Sequence, residues 1–294
     1  MEGDASLRIL ITGAAGYLGS GCVSYFAAQG HEVLPFDIRP KDGVEPLDLS
    51  LESETVDRIA KLRPDLVLHL AAIASVPVCE DDPEGCWRNN VTATFNVARA
   101  AQKAGARLVF FSTAAVYGTP HKMPTPTSEP NHPTNLYGVS KAAGEFIVRA
   151  YCKRAVVLRL FNIYGGRCER SYVIPDLIRK LKTDSSKIQL SGTGEESRDF
   201  LHITDLLRLV DRAASGPDGA TYNAGTGTTI TVRSLAANVA RLMGRGDARF
   251  EFSGPRKGDF PINWADISEG NVPRGWAPKV SLDEGLLEMI RSAG

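Results

Sequence analysis

The sequence predicts an α/β protein: a doubly wound parallel sheet followed by a smaller, mixed α/β C-terminal lobe. Three observations carry that reading. Short apolar runs alternate with longer segments of helical periodicity through the first half of the chain. The first of these runs stops at a cluster of glycines that opens a helix. After Asn162 the rhythm changes, with Gly165 and Gly166, Gly192 and Gly194, and Gly225 and Gly227 punctuating shorter elements.

Taken in order, residues 7–12 (LRILIT) form an apolar run of strand length. Residues 17–29 follow with helical spacing, and residues 32–37 make a second strand ending on an acid. Residues 65–70 (DLVLHL) and 107–112 (RLVFFS) are the third and fourth strands, with a long helical pattern over 83–104 between them. A helix over 135–153 and a strand over 155–160 (AVVLRL) complete the regular half. Continuous apolar strands separated by helices imply parallel pairing, with helices on both faces of the sheet. Further helices are expected over 173–182, 204–214, 232–243 and 282–291. The Pro-rich stretch 120–133 (PHKMPTPTSEPNHP) reads as a surface loop on the rim just before Tyr137.

Charge and composition exclude several function classes. Lys and Arg total 34, and so do Asp and Glu, so no basic excess points to nucleic acid or to an anionic membrane surface. An anionic ligand must then be met by local groups. No apolar run approaches membrane-spanning length, and the first residues do not read as a signal peptide. The cysteines Cys22, Cys79, Cys86, Cys152 and Cys168 are odd in number and show no CxxC spacing. They are expected to be reduced thiols of a cytoplasmic protein, with no disulfide framework and no metal site.

Gly13-Ala14-Ala15-Gly16-Tyr17-Leu18-Gly19 lies between the first strand and the first helix. Glycines there permit a tight turn and close approach of a pyrophosphate, and the helix N-terminus supplies N–H donors with the positive end of its dipole. The order strand, glycines, helix is that of a dinucleotide-binding (Rossmann) unit, and the GxxGxxG spacing points to its short-chain dehydrogenase/reductase branch. Asp37 ends the second strand, where a carboxylate accepts ribose hydroxyls and repels a 2′-phosphate, so NAD is expected over NADP. Arg39, two residues on, softens that discrimination. We divide the chain accordingly into an NAD-binding domain over 1–165, joined by later elements around 196–224, and a substrate lobe formed by 166–195 and 225–294.

Tyr137-Gly-Val-Ser-Lys141 opens a helix, and residues four apart share a helix face. A Lys ammonium beside a phenol favours the phenolate, so Tyr137 can exchange a proton with a substrate hydroxyl while hydride passes to or from a nicotinamide. A bare YxxxK is common in helices; this one follows the fourth strand of a dinucleotide fold. Thr113 ends that strand, at the sheet edge where parallel α/β proteins place their ligands, and its hydroxyl can share the same proton.

Together these segments resemble the extended short-chain dehydrogenase/reductase family in its nucleotide-sugar epimerase/dehydratase branch, and in particular its UDP-sugar 4-epimerases. The resemblance spans nearly the whole chain. It implies that Gly13, Gly16, Tyr17, Leu18 and Gly19 cradle NAD, that Asp37 holds the ribose, and that Asp48 and Leu49 lie at the adenine. It implies cofactor contacts from Leu70, Ala71 and Ala72 in the HLAA segment beginning at His69, and from the helical Asn90. The triad of the family maps to Thr113, Tyr137 and Lys141, the last two also touching the cofactor and the first two the substrate. On the substrate side the resemblance implies Asn162 near the diphosphate, Val173 around the nucleotide, Arg198 and Arg256 on the phosphates, and Asp259 in the RxGD segment. Arg167 and Arg170 follow the FNIYG segment, where one of them would meet a C6 carboxylate unless both are solvated loop residues. A homodimer built on the helices containing Asn90 and Tyr137 is also implied.

One departure from the family pattern is informative. Sugar 4,6-dehydratases carry Asp and then Glu directly after the catalytic Thr, and UDP-glucuronate decarboxylases keep an acid at the second position. Here both are alanine, Ala114 and Ala115. Alanine can neither take a C5 proton nor protonate a C6 hydroxyl, so dehydration is disfavoured, and decarboxylation less strongly. The expected activity is an NAD-dependent 4-epimerase of a nucleotide-diphosphate sugar, UDP-hexose or UDP-hexuronate. A net reductive 4-keto-sugar reductase is the alternative, and a catalytically idle cofactor-binding relative is the reading from another class.

Overall fold

In a computed structural model, which describes residues 6–166, 168, 172–183, 187–254 and 262–292, the strands of the first half are β1 (Arg8–Thr12), β2 (Glu32–Asp37), β3 (Glu45–Pro46), β4 (Leu66–His69), β5 (Arg107–Thr113) and β6 (Ala155–Leu160). Those of the second half are β7 (Asn162–Tyr164), β8 (Lys187–Leu190), β9 (Ser197–Arg198), β10 (Phe200–His202), β11 (Thr221–Ala224), β12 (Ile230–Thr231), β13 (Arg249–Phe252) and β14 (Ile262–Asn263). Seven of them pair in the order β11-β6-β5-β4-β1-β2-β3, every neighbouring pair parallel. The chain moves outward from β1 through β2 to β3 and then returns to lay β4 on the other side of β1. That reversal opens a crevice at the carboxyl ends of β1 and β4, the position where open α/β sheets bind ligands.

Successive strand residues point to opposite faces, and both faces are buried. Ile9 and Ile11, with Leu68, Val109 and Leu158, pack on one side under helices α1 (Tyr17–Ala28) and α8 (Ile203–Ala214). Leu10, Val67, Leu108 and Phe110 pack on the other against α2 (Glu52–Leu62), α5 (Ala93–Ala104) and α6 (Leu136–Tyr151). A separate core holds the C-terminal lobe. Ile174, Leu177 and Leu181 of α7 (Val173–Leu181) meet Ile188 and Leu190 of β8, Leu235 and Val239 of α9 (Val232–Leu242), and Leu286 and Met289 of α10 (Leu282–Ser292).

Several expectations need correction. The pattern over 83–104 is not one helix. After α3 (Val76–Asp81) it runs as α4 (Pro83–Trp87), a π-helical turn at Arg88–Thr92 that carries Asn90, and then α5. Helix α2 went unread because only Thr55 and Ile59 are fully buried along it, too thin a stripe to stand out. The two-residue β3 also went unread, so the strand ending in Thr113 is the fifth. The Pro-rich segment is anchored rather than loose. Thr125 is fully buried, its N–H donates to the Trp264 carbonyl at 3.0 Å, and Asn271 Oδ1 accepts both the N–H and the hydroxyl of Thr127. Among the described residues no helix is long and apolar enough to cross a membrane.

Candidate active site

The glycine turn leaves β1 under tight steric control. Gly13 takes φ +72°, and a Cβ on it would stand 2.7 Å from the Ala71 backbone nitrogen. A Cβ on Gly19 would stand 2.0 Å from the Gly13 carbonyl oxygen, so this glycine lets α1 lie directly on the turn. Gly16 is the N-cap of α1, and no side chain caps the first turn or places an acid there. The first-turn N–H groups of Tyr17, Leu18 and Gly19 are thus available to an outside acceptor, which fits a pyrophosphate. The Tyr17 hydroxyl donates to the Gly165 carbonyl at 2.6 Å, tying the turn to the segment after β7.

Asp37, 6% exposed at the end of β2, reaches back to the same turn. Its Oδ2 accepts the Ala15 N–H at 3.0 Å, and its Oδ1 accepts the Arg39 N–H at 2.9 Å. Burial alone would raise this carboxyl, but the Arg39 and Ala15 donors and the Arg39 charge hold it below the usual carboxylate range. Asp48 lies beyond β3, and its Oδ1 caps the following turn through the Ser50 N–H and hydroxyl. Buried Leu49 is held by its carbonyl, which accepts Asn96 Nδ2 at 2.9 Å.

Leu70, Ala71 and Ala72 leave β4 beside the glycine turn. The Leu70 and Ala71 N–H groups donate to the carbonyl and the hydroxyl of Thr12, each at 3.3 Å. Beneath them runs a buried polar chain. His69 joins Thr12 Oγ1 at 2.7 Å and Thr94 Oγ1 at 3.0 Å, and the Thr94 hydroxyl donates to the Asn90 carbonyl. Asn90 Nδ2 donates to Ser140 Oγ at 2.9 Å, and the Ser140 hydroxyl donates to the Tyr137 carbonyl at 2.8 Å. Burial, reinforced by the Lys141 charge, lowers His69 to about 3 and keeps it neutral.

Tyr137 and Lys141 sit in the first turns of α6, capped by Asn135, whose side chain accepts the Gly138 N–H at 2.8 Å. A Cβ on Gly138 would stand 2.7 Å from the Ala115 carbonyl oxygen, so this glycine seats the tyrosine-bearing turn on the segment just after Thr113. Thr113 caps the short 3-10 turn Ala114–Tyr117, its oxygen accepting the Ala115 N–H at 3.2 Å. The hydroxyl proton of Thr113 can still be donated. Lys141 is 3% exposed, with its Nζ 4.2 Å from the Phe110 ring centroid. Burial lowers its ammonium to about 7, against the opposing pull of Glu145 and Cys86. One turn on, the fully buried Glu145 accepts Arg159 Nε at 2.9 Å and Nη2 at 2.8 Å. Arg159 also donates to the Thr127 carbonyl and to Asn131 Oδ1, clamping the Pro-rich segment to β6 and α6. Neither residue was singled out from the sequence, although an Arg inside the apolar run AVVLRL was a signal that a buried acid must answer it.

On the substrate side, the backbone N–H and Nδ2 of Asn162 both donate to the Asp199 carbonyl at 3.1 Å, which joins β7 to β9 and β10. Buried Asp199 accepts the Thr226 N–H at 2.7 Å and the Gly227 and Ala265 N–H groups at 3.1 Å. Arg198 beside it donates to the Ser197 carbonyl and lines a cleft of about 490 Å³ with Phe200, Thr228, Ile230 and Lys279. Val173 begins α7, half-buried against the lobe core. Arg167, Arg170, Arg256 and Asp259 lie outside the described residues.

Residues 9–225 match the model of the NAD dependent epimerase/dehydratase family. A UDP-glucose 4-epimerase of Mycolicibacterium smegmatis is 30% identical over 311 aligned positions, covering 97% of this chain and 97% of that protein. The structure superposes on the UDP-glucose 4-epimerase of Thermotoga maritima with UDP-glucose at a TM-score of 0.87, with 30% identity and coverage of 96% and 97% of the two chains. It also superposes on WbmG of Bordetella bronchiseptica in complex with NAD and UDP at a TM-score of 0.85, with 30% identity and coverage of 98% and 94%. With its glycine turn and its seven parallel strands, the chain belongs to the NAD dependent epimerase/dehydratase family.

Proposed function

We propose that the protein is an NAD-dependent UDP-sugar 4-epimerase, working on a UDP-hexose or UDP-hexuronate. The observation that carries the reading is the seating of the Tyr137–Lys141 turn on Ala115, next to Thr113 and a sheet crevice shaped for a dinucleotide. Full-length likeness to UDP-glucose 4-epimerases supports the substrate class. Gly13, Gly16, Gly19 and the first turn of α1 would hold the NAD pyrophosphate, and Asp37 its ribose. When bound, NAD would supply the hydride acceptor and donor for C4. The chain supplies the proton chemistry. Tyr137 removes the C4 hydroxyl proton and gives it back, and Thr113 donates toward the same oxygen. Lys141, poised near neutrality, stabilises the phenolate as it forms. Ala114 and Ala115 offer no second acid–base pair, so the chemistry stays at one carbon. Asn162, Val173 and Arg198 would form the described part of the nucleotide-sugar site.

Incubation with UDP-glucose, UDP-glucuronate and their N-acetyl relatives, followed by NMR of the products, tests the reading. A C4 epimer is expected without net cofactor use, and Tyr137→Phe is expected to lower kcat by about 100-fold or more. No epimer from any of them, with stoichiometric NADPH consumption on a 4-keto sugar, would replace the epimerase by a reductase. The finer assembly and location belong to the same proposal. Val139, Phe146 and Tyr151 of α6 are exposed and extend the outward surface of α5, where Phe95 packs on Tyr151. A homodimer through these two helices covers that surface, and Phe146→Glu should yield a monomer by light scattering. The free thiols fit a reducing cytoplasm.

A further inference from the structure

Lys141 has to carry a charge in a place that disfavours one. It is buried on α6, and Glu145, the acid one turn on, is committed to Arg159, Ser112 and Asn131. Among the described residues no ion pair holds the Lys141 ammonium. What it meets is the ring of Phe110, a fully buried residue of β5, with Nζ 4.2 Å from the ring centroid. The negative face of an aromatic ring attracts a cation, and the attraction grows where water is excluded. This ring is wedged in place. A Cβ on Gly144 would stand 2.6 Å from its Cζ and 3.3 and 3.4 Å from its two Cε atoms, so α6 lies against the ring at a position without a side chain. The His69 ring stands 5.8 Å from that of Phe110 and is neutral, so it brings no second cation to the same ring.

We infer that Phe110 is a positioning residue of the active site: its ring holds the Lys141 ammonium in the charged form, where that charge can support the Tyr137 phenolate. The inference rests on the proton chemistry proposed above. Besides Tyr137, the titratable groups around Lys141 are Glu145 on its own helix, Cys86 of α4 and His69 at the end of β4. Burial brings the ammonium to about 7 against the pull of Glu145 and Cys86. A change of about tenfold in its proton affinity therefore decides whether the lysine is charged at neutral pH.

The test keeps the shape of the core and changes the electrostatics of the ring. Phe110 is replaced by its mono-, di- and trifluorinated analogues, which drain the negative face stepwise with little change in volume. The first readout is NMR titration of isotope-labelled lysines in the full chain without nucleotide or sugar, with Lys141→Met assigning the signal. The proton affinity of Lys141 should fall with each fluorine, by about tenfold for the trifluorinated ring. The second is the epimerase assay, where the alkaline limb of kcat should move to lower pH in the same order while KM stays within about twofold. Phe110→Leu, which also empties core volume, should shift both readouts and lower Tm as well. A fluorine series that leaves the Lys141 titration unmoved, or the pH limb of an active enzyme unmoved, would overturn the inference even if Phe110→Leu lowers kcat, since the ring would then act by bulk alone. A titration that follows the fluorine series in a chain with no epimerase activity would uphold the hold of Phe110 on Lys141 and overturn the 4-epimerase reading instead.

Discussion

Arg159→Met removes the centre of the buried clamp between β6 and α6, and the geometry sets the size of the effect. Arg159 is 4% exposed and meets Glu145 through two parallel N–H donors at 2.9 and 2.8 Å. It also holds the Thr127 carbonyl at 3.0 Å and Asn131 Oδ1 at 2.7 Å, and its guanidinium carbon lies 4.7 Å from the Tyr117 ring centroid. Deleting one member of a buried ion pair costs about 3–5 kcal/mol, chiefly because the other charge stays buried. Glu145 keeps Ser112 at 2.7 Å and Asn131 and Arg149 at 3.2 Å, which puts the expectation at the lower end. With an unfolding entropy of about 2.1 cal/mol/K per residue, a loss of about 3 kcal/mol lowers Tm by roughly 5 °C. Burial would raise the Glu145 carboxyl, but Arg159, Ser112 and Asn131 hold it below its usual 4.5. A carboxyl depressed by folding contributes stability above its unfolded value and loses it as pH falls through the folded one. The gap between wild type and variant should therefore narrow in acid. Scanning calorimetry across pH and amide exchange over residues 120–133 read both effects. An unchanged Tm with equally protected loop amides would refute the argument.

Two further outcomes follow from the same structure. Lys141→Met should abolish epimerisation yet raise stability. The Lys141 ammonium falls from 10.5 to about 7 on folding, so the unfolded chain binds the extra proton between those values. Wild type then gains stability as pH climbs through that window and carries a cost of about 4 kcal/mol at neutral pH, which Met avoids. Melting curves from pH 6 to 10 should show a flatter profile for the variant, and a lower Tm at pH 7 with the wild-type slope would contradict the assignment. Gly19→Ala puts a methyl 2.0 Å from the Gly13 carbonyl oxygen and should cost about 1–3 kcal/mol while weakening NAD binding. Gly21→Ala, whose nearest neighbour is the Ile203 side-chain terminus at 3.1 Å, should be tolerated, and NAD titrations of the pair separate cradle geometry from general helix repacking.

The sequence was legible wherever local pattern and burial agree. Ile9, Leu10 and Ile11 must be covered on both faces, so the parallel sheet could be read from apolar runs alone. Gly13 and Gly19 declared the turn because a side chain at either would meet backbone atoms at under 3 Å. Asp37, Thr113, Tyr137 and Lys141 could be placed because a strand end or a helix start fixes where each side chain begins. Legibility failed where an element is short or only thinly apolar, as in β3 and α2, and at Arg88–Thr92, where a widened helical turn leaves no mark in a 3.6-residue pattern.

What the sequence determined by itself is the sheet, the glycine turn and the pair Tyr137 and Lys141, because each follows from periodicity or from the steric limits of a few neighbouring residues. What the tertiary structure decided is which distant groups meet. Arg159 of β6 finds Glu145 on the helix packed over it, Asn90 finds Ser140, and Gly138 sets the tyrosine turn on Ala115. The sequence placed Arg39 two residues from Asp37, but only the folded turn shows its guanidinium spanning that carboxylate and Gly16. These contacts depend on how helices pack against strands, and a buried charge or amide takes whichever partner that packing brings within hydrogen-bond reach.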